Sequence, residues 1–253
     1  MKLGSADISK VYLGATEVTK AYLGSVEVYS SAPEPLPEYI SDGLVLWLDG
    51  KVKGNTTDAW TDLVNGVVFT KKGSGVTFNS DNVQFGGSSN NCLYNTSTTD
   101  FGTSTSCTIE VCYRDIPTSG TKAAFYSYGT GGTALCFQFT GGNRVVINAG
   151  NASARPYNGA WTAETTGTYS ISAARAYQNG VSKGFTGDKT YISRTAAASI
   201  IGASGRGAST YYDALGGKMH SLRIYNRQLT EEEVLHNQAI DNTRFNLGLT
   251  INS

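Results

Sequence analysis

Apolar and polar positions alternate in short runs along most of the chain, the two-residue period of strands with one buried face. In "SCTIEVCYRD", Ile109, Val111 and Tyr113 alternate with Glu110, Cys112 and Arg114, which predicts a half-buried strand. In "TYSISAARAYQNGVSKGF", two strand-like halves flank Asn179-Gly180, a dipeptide suited to the positive φ angles of a tight hairpin turn. The period changes in "LTEEEVLHNQAID". There Thr230 stands three residues before Glu233, the spacing of a capping box, acids fill the first turn, and Val234, Leu235 and Ile240 supply the apolar contacts of a helix. Many short strands followed by a single helix predict a β-sandwich with a short capping helix.

The opening of the chain follows a different rule. Leu3-Gly4, Leu13-Gly14 and Leu23-Gly24 recur every ten residues, each followed by an acid and a β-branched residue: Asp7-Ile8, Glu17-Val18 and Glu27-Val28. β-Formers on either side of a turn glycine predict an antiparallel meander. Such a sheet falls below the ~40 residues at which domains usually fold unaided, so its apolar face needs cover from another chain, a sister copy or the main domain. Pro33, Pro35 and Pro37 in "SSAPEPLPEY" predict an extended, semi-rigid spacer. The expected organisation is therefore residues 1–30 as docking or oligomerisation repeats, 31–37 as linker, 38–248 as the sandwich and 249–253 as a tail. The tandem "YLGxxEVxK" units ahead of a proline-rich spacer resemble the N-terminal repeats of tail and appendage proteins from phages and prophages of gut bacteria. That resemblance implies docking onto other phage structural proteins or onto sister copies as a homo-oligomer.

Composition narrows the partners. Over 253 residues, 20 Lys and Arg balance 20 Asp and Glu, without a basic stripe to track phosphates, which argues against nucleic acid. "MKLGSADISK" lacks the apolar run of a signal peptide, and no later segment reaches bilayer-spanning length. The expectation is synthesis in the cytosol without a signal peptide and without membrane insertion, as a virion component or, alternatively, on a bacterial surface by a non-Sec route. Cys92, Cys107, Cys112 and Cys136 form no C-x-x-C pair and lie far from His220 and His236, so they read as packed free thiols and not as zinc ligands.

A second resemblance covers Asp42 to about Phe245. "GLVLWLDG", "WTDLVNG", "CTIEVCYR", "RAYQNGV", "IIGASGRG" and above all "HSLRIYNRQLTEEEVLHNQAID" are similar to the laminin-G-like, concanavalin A-like jelly roll of bacterial and viral glycan-associated proteins. It implies an all-β jelly-roll sandwich in which Leu222 and Ile224 face the core and the helix closes one end. Calcium is the usual structural ion of that family, which makes Asp49 in "LDG" and Asp62 in "TDLVNG" candidate ligands, although an ordinary Asx turn explains each more simply.

The same sandwich supports glucanases. Laminarinase-type members carry E-x-D-x-x-E on one strand, because retaining cleavage needs two carboxyls ~5–5.5 Å apart. That motif is absent here: Glu110 and Asp115 have odd spacing, Glu231, Glu232 and Glu233 read as helix N-terminal acids, and a G-x-S-x-G elbow is missing. No catalytic residue is therefore expected. Binding is favoured by 15 Tyr and three Trp, since sugar C–H faces pack on aromatic rings, with Trp47 assigned to the core. Two polar, glycine-punctuated stretches carry large side chains: "NASARPYNGAW", with Arg155, Tyr157, Asn158 and Trp161, and "SGRGASTYYDALGG", with Arg206, Tyr211, Tyr212 and Asp213. The concave sheet face is the alternative site. The expected protein is a non-enzymatic module binding a cell-surface glycan on a phage tail or appendage, with a structural decoration domain and a glycan hydrolase as rivals.

Overall fold

The computed structural model describes residues 36–54, 57–88, 90–97, 107–115, 117, 120–129, 132–140, 144–148, 164–172, 175–183, 196–205 and 211–251, with strand segments of the first thirty residues. The chain divides into two compact units, Met1–Glu38 and Tyr39–Ser253.

In the first unit the repeats form three antiparallel hairpins: Lys2–Leu3 with Ala6–Asp7, Val11–Leu13 with Thr16–Val18, and Lys20–Leu23 with Val26–Ser30. Each is a two-stranded sheet of its own, one hairpin-like unit per repeat as the expected meander implies. The reason lies in the period. Every ten-residue repeat carries its own Leu-Gly turn, so Leu3 pairs with Ala6, Leu13 with Thr16 and Leu23 with Val26, and each repeat closes on itself.

The second unit is a two-layer sandwich. One sheet runs Val76–Phe78, Val83–Gly86, Gly216–Tyr225, Thr108–Arg114, Gly167–Ser172, Ala176–Gln178 and Val181–Lys183, and Leu44–Asp49 pairs with the far half of Gly216–Tyr225. The facing sheet runs Arg144–Asn148, Gly132–Thr140, Lys122–Gly129, Ala196–Ile201, Cys92–Asn95, Val68–Lys72 and Ala59–Thr61. Alternate residues of both sheets meet in one core: Leu46, Leu48, Ile109, Val111, Tyr169, Ile171, Leu222 and Ile224 from the first against Trp60, Phe69, Leu93, Phe125, Phe137 and Ile201 from the second. Tyr113, Phe139 and Tyr169 pack as an aromatic triplet, with ring centroids 5.1 to 5.5 Å apart. All four cysteines are free and buried. Asn179 and Gly180, at φ 52° and 77°, make the turn between Ala176–Gln178 and Val181–Lys183.

The helix, Glu231–Arg244, has the capping box in place: Thr230 Oγ1 accepts from the Glu233 amide, and the Glu233 carboxylate accepts from the Thr230 amide. Its position differs from the expectation that it closes one end. It lies over the outer face of the first sheet, and the residues it buries there are mostly polar: Asn237, Gln238 and Asp241, with Val234. The Thr108–Arg114 strand is consequently buried on both faces, where one exposed face was expected.

Candidate functional site

The helix covers the outer face of the first sheet, and among the described residues no helix lies on the outer face of the second. Strand register lines up its side chains. Tyr94, Ile200 and Tyr126 share one rung, and Ala198 and Tyr128 the next. Tyr94, Tyr126 and Tyr128 are half-buried, Thr70 is exposed and Val68 is 44% exposed. Cys92, Ile200 and Ala203 form an apolar floor on which Tyr94, Tyr126 and Tyr211 pack.

One edge of this floor is built by a two-residue ladder, Ser204–Gly205 with Tyr211–Tyr212. Alternation along it turns one ring in and the next out. Tyr211 is 6% exposed, edge-on to Tyr94 at 6.3 Å, with Lys72 Nζ 4.2 Å from its ring centroid. Tyr212 is 52% exposed. Burial pushes the Tyr211 phenol up to about 12 and also raises that of Tyr94, so both keep their hydroxyl proton at neutral pH. Asp213 adopts φ 48°, and its carboxylate accepts from Ser204 Oγ at 2.6 Å and Gln138 Nε2 at 3.3 Å.

Of the residues expected to bind glycan, the structure therefore brings Tyr211, Tyr212 and Asp213 to one margin of the tyrosine face. Tyr211 is a packed ring there and not the exposed loop aromatic that was expected. Arg155, Tyr157, Asn158, Trp161 and Arg206 lie outside the described residues. Tyr94, Tyr126 and Tyr128 were missed, although the Tyr-x-Tyr spacing of 126 and 128 places two rings on one strand face.

The two aspartates considered for calcium have other partners. The carboxylate of Asp62 accepts three backbone amides, from Trp47 at 2.7 Å, Val64 at 3.2 Å and Asn65 at 2.8 Å. Asp49 is fully buried and accepts from Arg244 Nε and Nη2 at 2.9 and 3.1 Å and from the Lys51 amide at 2.8 Å. A guanidinium and an Asx turn fill these oxygens, and neither residue fits a calcium site. Among the described residues no group of three or more His, Cys, Asp or Glu side chains is placed to hold a metal ion.

The remaining carboxylates of note are sealed beneath the helix. Arg223, fully buried, donates through Nη1 and Nη2 to Asp241 at 2.9 and 2.7 Å and through Nε to Glu110 at 3.0 Å. Tyr39 donates to Asp241 at 2.6 Å and places its ring 3.9 Å from the guanidinium carbon, and Asn237 donates to Glu110 at 2.8 Å. This cluster is closed to substrate. Asp115 is elsewhere, paired with Lys218 at 2.7 Å.

A laminin-G family model, described as the concanavalin A-like lectin/glucanases superfamily, matches residues 79–235, more than half of the chain. The chain belongs to the concanavalin A-like lectin/glucanases superfamily. No curated protein matches its sequence. Among solved structures, this superfamily member is similar to the binding domain of botulinum neurotoxin DC in complex with SialylT, with TM-score 0.54, 11% identity, and coverage of 80% of this chain and 52% of that one. Botulinum neurotoxin type C, which interacts with two ganglioside molecules, gives TM-score 0.55 and 9% identity over 79% of this chain and 51% of that one. Trypanosoma rangeli sialidase gives TM-score 0.51 and 14% identity over 80% of this chain and 33% of that one. The chain thus spans from a third to about half of these structures.

These findings correct one expectation. The chain was read as non-enzymatic because the laminarinase motif is missing. The superfamily holds glucanases beside lectins, and sialidases share the fold. A missing E-x-D-x-x-E excludes one catalytic arrangement and leaves hydrolysis open.

Proposed function

We propose that the sandwich binds carbohydrate on the outer face of its second sheet, through Tyr94, Tyr126 and Tyr128 with Tyr212 and Lys72 at the margin. The observation that carries this reading is the half-buried row of tyrosines on the face of the second sheet away from the core. Tyrosine rings offer flat apolar surface to sugar C–H groups and a hydroxyl to sugar oxygens at little conformational cost. Lys72 adds a cation suited to an acidic sugar. Sialylated glycans are the first probes, because the toxin domain similar in fold is in complex with SialylT and the sialidase, of which a third is matched, with sialic acid. The ten-residue repeats and the proline spacer support a chain carried by a larger assembly, and the resemblance of those repeats favours a phage tail or appendage displaying the domain to a cell surface.

The test is a glycan array with sialylated and neutral arms, a hydrolysis assay on every glycan retained, and Ala variants at Tyr94, Tyr128 and Tyr212. Loss of a stacked ring is expected to weaken binding by ~0.5–1.5 kcal/mol, about 2- to 12-fold, with the thermal unfolding of the Tyr212 variant unchanged. Parent-like binding by all three variants, with binding lost on Tyr157→Ala or Trp161→Ala, would move the site to residues 151–161. Absence of any retained glycan would refute the reading.

A further inference from the structure

The margin of the tyrosine face holds a carboxylate of which the fold uses one oxygen. Gln138 stands two residues along its strand from Cys136, which pairs with Tyr126, so its side chain shares the outer face of the second sheet with that ring. Gln138 Nε2 donates to Asp213 Oδ2 at 3.3 Å, and Ser204, itself only 5% exposed, donates through Oγ to the same oxygen at 2.6 Å. The backbone is fixed as well: Asp213 sits at φ 48°, and its carbonyl accepts from the Ala123 amide at 2.8 Å. Asp213 is half-buried, and its Oδ1 takes no donor among the described residues.

A brace for the turn needs one oxygen, not two. An asparagine would accept from Ser204 and Gln138 equally well and would tolerate the left-handed backbone. What the carboxylate adds over the amide is a second acceptor, held in place before any ligand arrives. Such a group takes a donor like a sugar hydroxyl and repels a sulfate or carboxylate of like charge. Lys72, against the Tyr211 ring, stands four strands from Gln138, roughly 19 Å at the usual ~4.8 Å strand spacing. A cation and a carboxylate thus mark the two ends of the edge that the ladder builds.

Resting on the carbohydrate reading of this face, we propose that Asp213 is a specificity-determining residue: its Oδ1 accepts a hydrogen bond from one hydroxyl of the bound sugar, and Ser204 and Gln138 position the carboxylate for it. The ligand is then a glycan laid across the strands, with a free hydroxyl at the Asp213 end and its acidic group, where it has one, at the Lys72 end.

The test uses the full-length chain on an array of sialylated and neutral oligosaccharides, each also present as its set of mono-deoxy analogues. For a glycan that the parent retains, removal of one hydroxyl is expected to weaken binding roughly 10- to 100-fold. In Asp213→Asn, where a neutral amide faces that hydroxyl, the same deoxygenation should cost several-fold less than in the parent, with thermal unfolding near the parent's. Ser204→Ala keeps the carboxylate, removes its brace and should reduce the same penalty. A merely structural role would lower affinity for intact and deoxy glycans alike. A parent that retains a glycan and weakens on Tyr128→Ala, yet tolerates every single deoxygenation, would overturn the assignment of Asp213 and leave the tyrosine face standing. So would parent-like deoxy penalties in Asp213→Asn or, should that variant not fold, in Ser204→Ala. A parent that retains no glycan would overturn both readings.

Discussion

Glu110→Gln separates two accounts of the layer beneath the helix. Arg223 supplies one positive charge to two fully buried carboxylates. Asp241 is the more fully partnered one: it receives both Nη groups of Arg223 and the hydroxyls of Tyr39, Ser221 and Thr168. Glu110 receives donors only at Oε2, and its Oε1 is buried without a partner. Burial pushes its carboxyl up, against the opposing pull of Arg223. We therefore expect glutamine, the neutral isostere, to replace Glu110 within about 1 kcal/mol. Asp241→Asn, which strips the bidentate partner from a buried guanidinium, should cost ~3–5 kcal/mol. In a domain of this size that lowers the melting temperature by roughly 6–20 °C. The assay is urea unfolding of both variants from pH 4 to 8. A carboxyl raised above its unfolded value binds more protons when folded, so its contribution is complete below about 4.5 and is lost as pH rises through the folded value. The parent should lose stability relative to Glu110→Gln across that rise. A Glu110→Gln loss as large as that of Asp241→Asn, with no pH dependence, would show that Glu110 is ionised and refute the reasoning.

His220 is the extra residue of a bulge, between Met219 opposite Tyr113 and Ser221 opposite Cys112, and its buried ring is held neutral by burial. A histidine lowered below 6.5 makes the fold lose stability as pH falls from about 6.5 toward the folded value, and His220→Gln should lack that slope in denaturation measured between pH 7 and 5. Gly180→Ala places a Cβ 3.0 Å from Ile251 Cγ2 at φ 77°, and chemical denaturation should register a loss of about 1–3 kcal/mol. Thr230→Ala breaks the capping box and should cost about 1 kcal/mol, read by the same assay, with Thr230→Ser near parent.

The sandwich was legible because its signals are local. Asn179-Gly180 needs only positive φ, the capping box only a three-residue spacing, and Leu222 and Ile224 only alternation with what lies between them. What lies between them was not legible. Arg223 and Glu110 sit at alternate positions that read as a solvent face, and nothing near them in sequence announces that a helix will cover them. A trace was present in the helix itself. "LTEEEVLHNQAID" has too few apolar residues to dock by hydrophobic burial alone, so its attachment had to be polar, through Asn237, Gln238 and Asp241. Tyr211 shows the converse error. Its glycine-rich surroundings read as a loop, whereas a two-residue ladder imposes strand alternation and turns the ring inward.

The attachment at Tyr39 gives the sandwich a definite response to tension. A pull arriving along the chain from the first unit reaches the Tyr39 hydroxyl on Asp241 and the Ile40 amide on Asn237 before it reaches any strand. Behind them Leu44–Asp49 is laced antiparallel to Gly216–Tyr225, a strand that also pairs with Thr108–Arg114. The load thus spreads at once into the helix and the middle of a sheet, where many bonds must shear together, and bypasses the short outer strands Val76–Phe78 and Val181–Lys183 that would peel one bond at a time. A sandwich loaded through Tyr39 and Ile40 thereby takes the force where its bonds act together.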